Sequence, residues 1–286
     1  MSGASRLVLG SARWALVARP DRTLLAATVA AALDTGITRF DTARAYSPPG
    51  RAGEGERLLG QALGSHMRAG RARIATKGGH WRRPDGSFAV DARPATLRSH
   101  VEASLSALGI ERIDRYLLHW PDPAVPLAES VGALADLRAA GLVDEIGVCN
   151  VDVAQVEAAH AAGPVAVVQN RLAYLGPDDP VLARCVALGL EYEAYSSLGG
   201  PDGPGRMEEL VRGEPRVTAL AARLGATGVQ LALAWLLAQG TAVVPVLGAG
   251  RPRSVRASAA AASLTLGGDD LALLDEVRPR PETATA

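Results

Sequence analysis

The chain predicts an α/β fold, a single-domain (β/α)8 TIM barrel, and three observations carry that prediction. Eight short apolar runs alternate with longer stretches of helical period along the 286 residues. The runs read as buried throughout rather than strictly alternating, as expected of a parallel sheet covered by helices. An open doubly wound sheet would place a glycine-rich phosphate loop after its first strand, yet Gly10-Ser11-Ala12-Arg13-Trp14 does not match G-x-G-x-x-G. Length and strand count therefore favour the closed barrel.

Each element follows from its local pattern. Strands are predicted at residues 7–9, 39–41, 74–76, 113–118, 145–148, 165–169, 190–194 and 242–245. Helices are predicted at 23–35, 54–63, 94–108, 127–140, 152–161, 180–188 and 216–238, with a further one at 252–260. Asp152 suits an N-cap, and Gly36, Gly109, Gly141 and Gly189 suit the position just past a helix end. Residues 196–214 form a long loop rich in Gly and Pro, which in a barrel stands on the face where chemistry happens and can cover a ligand. The core is expected over 7–277 within one domain, 1–286, and the tail after Arg278 is expected to be disordered.

Composition narrows the function classes. Lys plus Arg equals Asp plus Glu at 30 each, so charge gives no reason to expect nucleic acid or an anionic membrane. Among the 30 cations Lys77 is the single lysine and the other 29 are arginine, which marks Lys77 as a position where a compact ammonium does what a guanidinium cannot. Cys149 and Cys185 form neither a disulfide framework nor a zinc site, and no His, Asp or Glu spacing resembles a ligand set. No signal-peptide pattern opens the chain and no run reaches the ~18 apolar residues of a spanning helix. A cytoplasmic protein, monomer or weak homo-oligomer, is the expectation.

Four residues fall at or just beyond consecutive strand ends: Asp41 and Tyr46 at the second, Lys77 at the third and His119 at the fourth. In a barrel these ends converge on one mouth. An ammonium beside a phenol favours the phenolate and makes Tyr46 a better acid, while Asp41 keeps Lys77 charged. His119 can orient a carbonyl oxygen or share the proton transfer. Such a set delivers a proton to a carbonyl; a hydride has to come from a cofactor.

The motifs carry a resemblance. Phe40-Asp41-Thr42-Ala43-Arg44-Ala45-Tyr46, Glu56-Arg57-Leu58-Leu59-Gly60, Leu117-Leu118-His119-Trp120-Pro121-Asp122 and Gly141 through Asn150 resemble the aldo-keto reductase family over about residues 7–277. The resemblance implies oxidoreductase chemistry, reduction of an aldehyde or ketone or the reverse, with NADPH, or NADH as the alternative, bound without a dinucleotide fold. It implies that Asp41, Tyr46, Lys77 and His119 are the catalytic four, with Tyr46 as proton donor. Cofactor contacts are implied at Gly10, Ser11, Asn150, Gln169, Tyr195, Ser196, Leu198, Gly199, Gly248, Arg251 and Arg256. Of these, the resemblance implies that Asn150 and Gln169 hold the nicotinamide carboxamide and that Tyr195 stacks on its ring.

The sequence departs from the family pattern in two places. Cys149 stands where serine is usual, so one nicotinamide contact is softer. Gly250 and Ser254 stand where an arginine usually reads the 2′-phosphate, although Arg251, Arg253 and Arg256 are close by. Trp14, Trp81 and Trp120, after the first, third and fourth strands, are the candidate wall of the substrate pocket. Two rival readings stay open from sequence: a cofactor-binding regulatory module, and a biosynthetic enzyme using the barrel for a non-redox dehydration or cyclisation.

Overall fold

The strands that close the barrel are β1 (Val8–Gly10), β2 (Arg39–Asp41), β3 (Arg73–Gly78), β6 (Ile113–Leu118), β7 (Val143–Cys149), β8 (Val165–Arg171), β9 (Glu191–Tyr195) and β10 (Val243–Leu247). All neighbours pair in parallel and β10 returns to β1, which closes the sheet. This computed structural model describes residues 6–16, 20–200 and 202–279; the tail expected to be disordered lies, from residue 280, outside them. Two further strands, β4 (His80–Arg82) and β5 (Phe88–Val90), form an antiparallel hairpin directly after β3.

The covering helices are α1 (Arg22–Asp34), α2 (Glu54–Leu63), α3 (Ser65–Arg68), α4 (Pro94–Leu108), α5 (Leu127–Ala139), α6 (Val153–Ala162) and α7 (Pro180–Leu188). They continue with α8 (Gly203–Gly213), α9 (Pro215–Leu224), α10 (Gly228–Ala238), α11 (Pro252–Ala260) and α12 (Gly268–Val277). Asp152 caps α6 in a reciprocal box with Gln155, as its side chain predicts. The stretch read as one helix over 216–238 is two, because Gly225 turns left-handed at φ 59° and Thr227 starts a new capping box with Gln230. The loop at 196–214 contains α8, an amphipathic helix entered through Gly203 in contact with Leu198. Among the described residues no single helix is long and apolar enough to cross a membrane.

Alternation along the strands sorts the core into two. Phe40, Ile74, Tyr116, Leu118, Ile146, Val148, Val168 and Tyr192 face outward into one large cluster with the helices. Inside the barrel, Leu117, Cys149 and Val167 pack together, as do Val8, Val244 and Val246 against Tyr195. Gly147 makes room for the first of these clusters: a Cβ there would stand 2.4 Å from both Leu117 Cδ2 and Val167 Cγ1. The rest of the interior is ionic. Arg39, Asp41, Lys77, Arg115, Gln169 and Glu193 bond to one another through the barrel's middle.

Candidate active site

Asp41 ends β2, Lys77 lies one residue before the end of β3 and His119 follows β6, so strand pairing alone gathers three of the four predicted residues. Tyr46 arrives from the turn after β2, where its backbone carbonyl takes the N–H of Gly55 at the start of α2. A side chain at Gly55 would collide with that carbonyl at 2.4 Å, which fixes how closely helix and turn approach.

Lys77 is fully buried, and its ammonium donates to both oxygens of Asp41 at 2.7 Å and to Thr42 O at 2.9 Å. Its Nζ stands 3.5 Å from Tyr46 Oη, the outer edge of hydrogen bonding, and 5.0 Å from the ring centroid. Burial alone would pull Lys77 down, but the adjacent Asp41 overrides it and holds the lysine well above its ordinary range. On Asp41, burial pushes the carboxyl up, while Lys77 and then the bond from Gln169 pull it down; the net direction is up. Tyr46 is pushed up to about 12, because burial outweighs the pull of Lys77. Lys77 acts on Tyr46 in the direction expected from sequence, but burial acts the other way and is larger. Tyr46 thus keeps its proton at neutral pH, the state a donor needs.

His119 lies edge-on to Tyr46, ring centroids 5.7 Å apart, and edge-on to His80 at 5.0 Å. Burial first, then Lys77 and His80, hold its imidazole well below its ordinary range, so it is neutral, and its Nδ1 is buried without a partner among the described residues. His80 is lowered as well, by burial. It stacks on Phe88 at 4.9 Å and faces Trp120 at 6.4 Å, forming an aromatic wall beside His119. Neither His80 nor Phe88 was singled out from sequence. The turn signal Pro84-Asp85-Gly86 between His80-Trp81-Arg82 and Phe88-Ala89-Val90 would have revealed the hairpin that delivers them.

The three tryptophans separate. Trp14 is buried in the core, Trp81 is half-buried with its ring edge-on to His100 at 5.2 Å, and Trp120 is 42% exposed. Of the three, Trp120 lines the cleft of about 340 Å³ that also contains Asn150, Asn170, Arg171 and Tyr195.

Asn150 and Ser196 both take left-handed backbone, φ 57° and 52°, at the ends of β7 and β9. The Asn150 amide donates to His119 O at 2.9 Å and its oxygen accepts from Tyr195 Oη at 2.7 Å. Gln169 donates to Asp41 at 3.0 Å and to Glu193 at 2.7 Å, while its oxygen accepts from no described residue. Cys149 is buried and its thiol is pushed up by burial, so it is an inert neighbour rather than a nucleophile. Ser11 is buried with its hydroxyl on Asp41 O at 3.0 Å, and Gly10 leaves space filled by Val246 and Leu247 O. Gly248, Arg251 and Arg256 stand exposed around the start of α11; Arg256 approaches Asp34 at 3.9 Å, and Arg251 and Arg253 make no ion pair among the described residues.

A nicotinamide dinucleotide fits this donor set. The free Gln169 oxygen and the Asn150 amide offer an acceptor and a donor side by side, as a carboxamide requires. Arg251 and Arg253, with no ion pair among the described residues, stand at a helix start and suit a phosphate.

Comparison with known proteins agrees. The profile of the Aldo/keto reductase family matches residues 6–279. A probable aldo-keto reductase 1 of Glycine max is 32% identical over 277 residues, covering 88% of this chain and 79% of that one. An aldo/keto reductase from Klebsiella pneumoniae, solved in complex with NADP and acetate, superposes with TM-score 0.81 at 27% identity over 97% of this chain and 92% of its own. A glycerol dehydrogenase from Gluconobacter oxydans reaches the same TM-score at 25% identity over 98% and 95%. Motifs, barrel and comparisons converge: the chain belongs to the aldo/keto reductase family and is an oxidoreductase that reduces carbonyl groups.

Proposed function

We propose that the chain reduces an aldehyde or ketone to its alcohol with NADPH, using Asp41, Tyr46, Lys77 and His119 as its catalytic four. The observation that carries this reading is the buried pair of Lys77 and Asp41 set under a protonated Tyr46 and beside a neutral His119. A bound nicotinamide supplies the hydride. Tyr46 gives its proton to the carbonyl oxygen as negative charge develops there. Lys77 stabilises the phenolate left behind, and Asp41 keeps the ammonium charged in a site that would otherwise discharge it. His119, neutral, donates to the same oxygen and sets its direction. Tyr195, Asn150 and Gln169 hold the nicotinamide, with Ser196, Leu198 and Gly199 near the pyrophosphate and Arg251, Arg253 or Arg256 at the 2′-phosphate. Gly10, Ser11 and Gly248 complete the contact set. The pocket wall is Trp120 with His80 and Phe88, which takes the place of Trp14 and Trp81 in this reading.

Neither rival from the sequence gains support. A regulatory module has no need of a buried lysine–carboxylate pair beneath a phenol, and a non-redox cyclase has no need of the Asn150 and Gln169 amides set beside it. Tyr46→Phe tests the assignment. Oxidation of NADPH with benzaldehyde or glyceraldehyde should fall by about 10²–10⁴-fold, while NADPH still quenches tryptophan fluorescence as in the parent. Unchanged turnover would sink the assignment. Repeating the titration with NADH reports whether the arginines near α11 read the phosphate.

A further inference from the structure

We infer that Glu193, deep in the barrel and outside the catalytic four, is a positioning residue that locks the amide of Gln169 so that only its oxygen faces the cofactor's carboxamide. The inference rests on the reading of Gln169 given above. Glu193 is 1% exposed on β9, and Gln169 pairs with it directly in strand register from β8. One oxygen of Glu193 takes Arg39 at 2.6 Å and Arg115 at 2.7 Å; the other takes Gln169 Nε2 at 2.7 Å. The same Nε2 donates its second hydrogen to Asp41 at 3.0 Å.

Both hydrogens of the Gln169 amide are therefore claimed by carboxylates. An amide offers two donors on nitrogen and acceptor sites on oxygen, and rotating it would set oxygen against two carboxylate oxygens. The rotation is shut, and Gln169 can only accept from a ligand. A carboxamide has one NH2 and one carbonyl, so the locked acceptor selects which end of that group it meets. The two arginines keep the Glu193 carboxylate ionised and aimed. They are anchored in turn by Glu191, which bonds Arg39 and Arg115 but not Gln169. A buried carboxylate without such a role is expensive to retain, since its charge must be matched on every side.

Replacement by glutamine inverts the demand. With Arg39 and Arg115 holding the new oxygen, the new NH2 faces Gln169, whose amide is then caught between that donor and the Asp41 acceptor and loses the lock that aimed its oxygen at the cofactor. Glu193→Gln should weaken NADP+ by about tenfold, the effect of one lost hydrogen bond. The adenosine bisphosphate half of NADP+, which lacks the nicotinamide, should bind as to the parent. Glu191→Gln, which disturbs the same arginines without touching Gln169, should leave both affinities unchanged. Should Glu193→Gln fail to fold, Glu193→Asp keeps the charge but draws the carboxylate back by one methylene, and the same split is expected.

Gln169→Leu separates the two levels. If it weakens NADP+ and Glu193→Gln does not, the positioning role is overturned. If Gln169→Leu leaves NADP+ affinity unchanged, the placing of Gln169 at the nicotinamide fails and takes this inference with it. Equal weakening of NADP+ and of its adenosine half in Glu193→Gln would also overturn it, by showing general loss of structure.

Discussion

Lys77 and Asp41 hold each other's charge inside the barrel, and that pairing separates stability from activity. Lys77→Met leaves a buried carboxylate facing only Gln169, a change that costs about 3–5 kcal/mol when one partner of a buried pair is removed. It also takes away the cation that lowers Tyr46, so the phenol becomes a still weaker acid. Adding Asp41→Asn removes the stranded charge. The double variant should regain most of the denaturation midpoint lost by the single one, with carbonyl reduction remaining absent; recovery of both together would refute the separate roles. At this scale the sequence was informative where chemistry is unusual for its place. A single lysine among 30 cations and four polar residues at strand ends stood out. Glu193 did not, because a glutamate in an Ala-Tyr strand reads as a solvent-facing position. Its meaning depends on Arg39, Arg115 and Gln169, which come from three other strands.

Elements were legible where a cap or a period announced them and obscure where a short break interrupted an apolar run. The α9–α10 junction shows why. Leu231 through Leu237 continue the apolar character of the preceding stretch, so periodicity alone joins the two helices. Gly225 and Thr227 divide them, the first by its left-handed turn and the second by accepting Gln230 N at 3.2 Å while Gln230 reaches back to the Thr227 N–H at 2.9 Å. Thr227→Ala should lower stability by about 1 kcal/mol, the usual effect of losing an N-cap. Chemical denaturation measures it, and an unchanged midpoint would mean that packing of α10 on the barrel, not the cap, sets where the helix begins. The β4–β5 hairpin was missed for a related reason: strands of three residues are too short to show a period, although its turn is well signed.

At the level of the whole molecule the closed parallel barrel was readable from strand count and helix spacing, while the content of its interior was not. β2 and β9 alternate polar with apolar residues, a pattern that normally means polar outward; here helices cover the outside, so the polar set turns in. That inversion builds a structure whose stability depends on neutral imidazoles at the periphery of the site. His100 on α4 accepts the Gly79 N–H through Nδ1 at 3.1 Å, which only an unprotonated nitrogen can do. Burial first, then the charge of Arg44, lower it from its ordinary 6.5 to about 4, against a smaller upward pull from Asp91. As pH falls through that window, the unfolded chain takes the proton before the folded one does, so folding stability falls with it. His100 therefore contributes stability that is complete above about 6.5 and is lost as pH falls toward about 4. Other shifted groups add their own pH dependence, His119 and His80 in the same sense and the raised carboxyls of Asp41 and Glu56 in the opposite one. Comparing the parent with His100→Gln cancels them, since both proteins carry them all. The parent's advantage in denaturation midpoint should be constant above that window and shrink steadily through it; an advantage that stays flat down to its lower end would show that His100 takes its proton as readily in the folded chain as in the unfolded one, and that its bond to Gly79 does not hold the imidazole neutral.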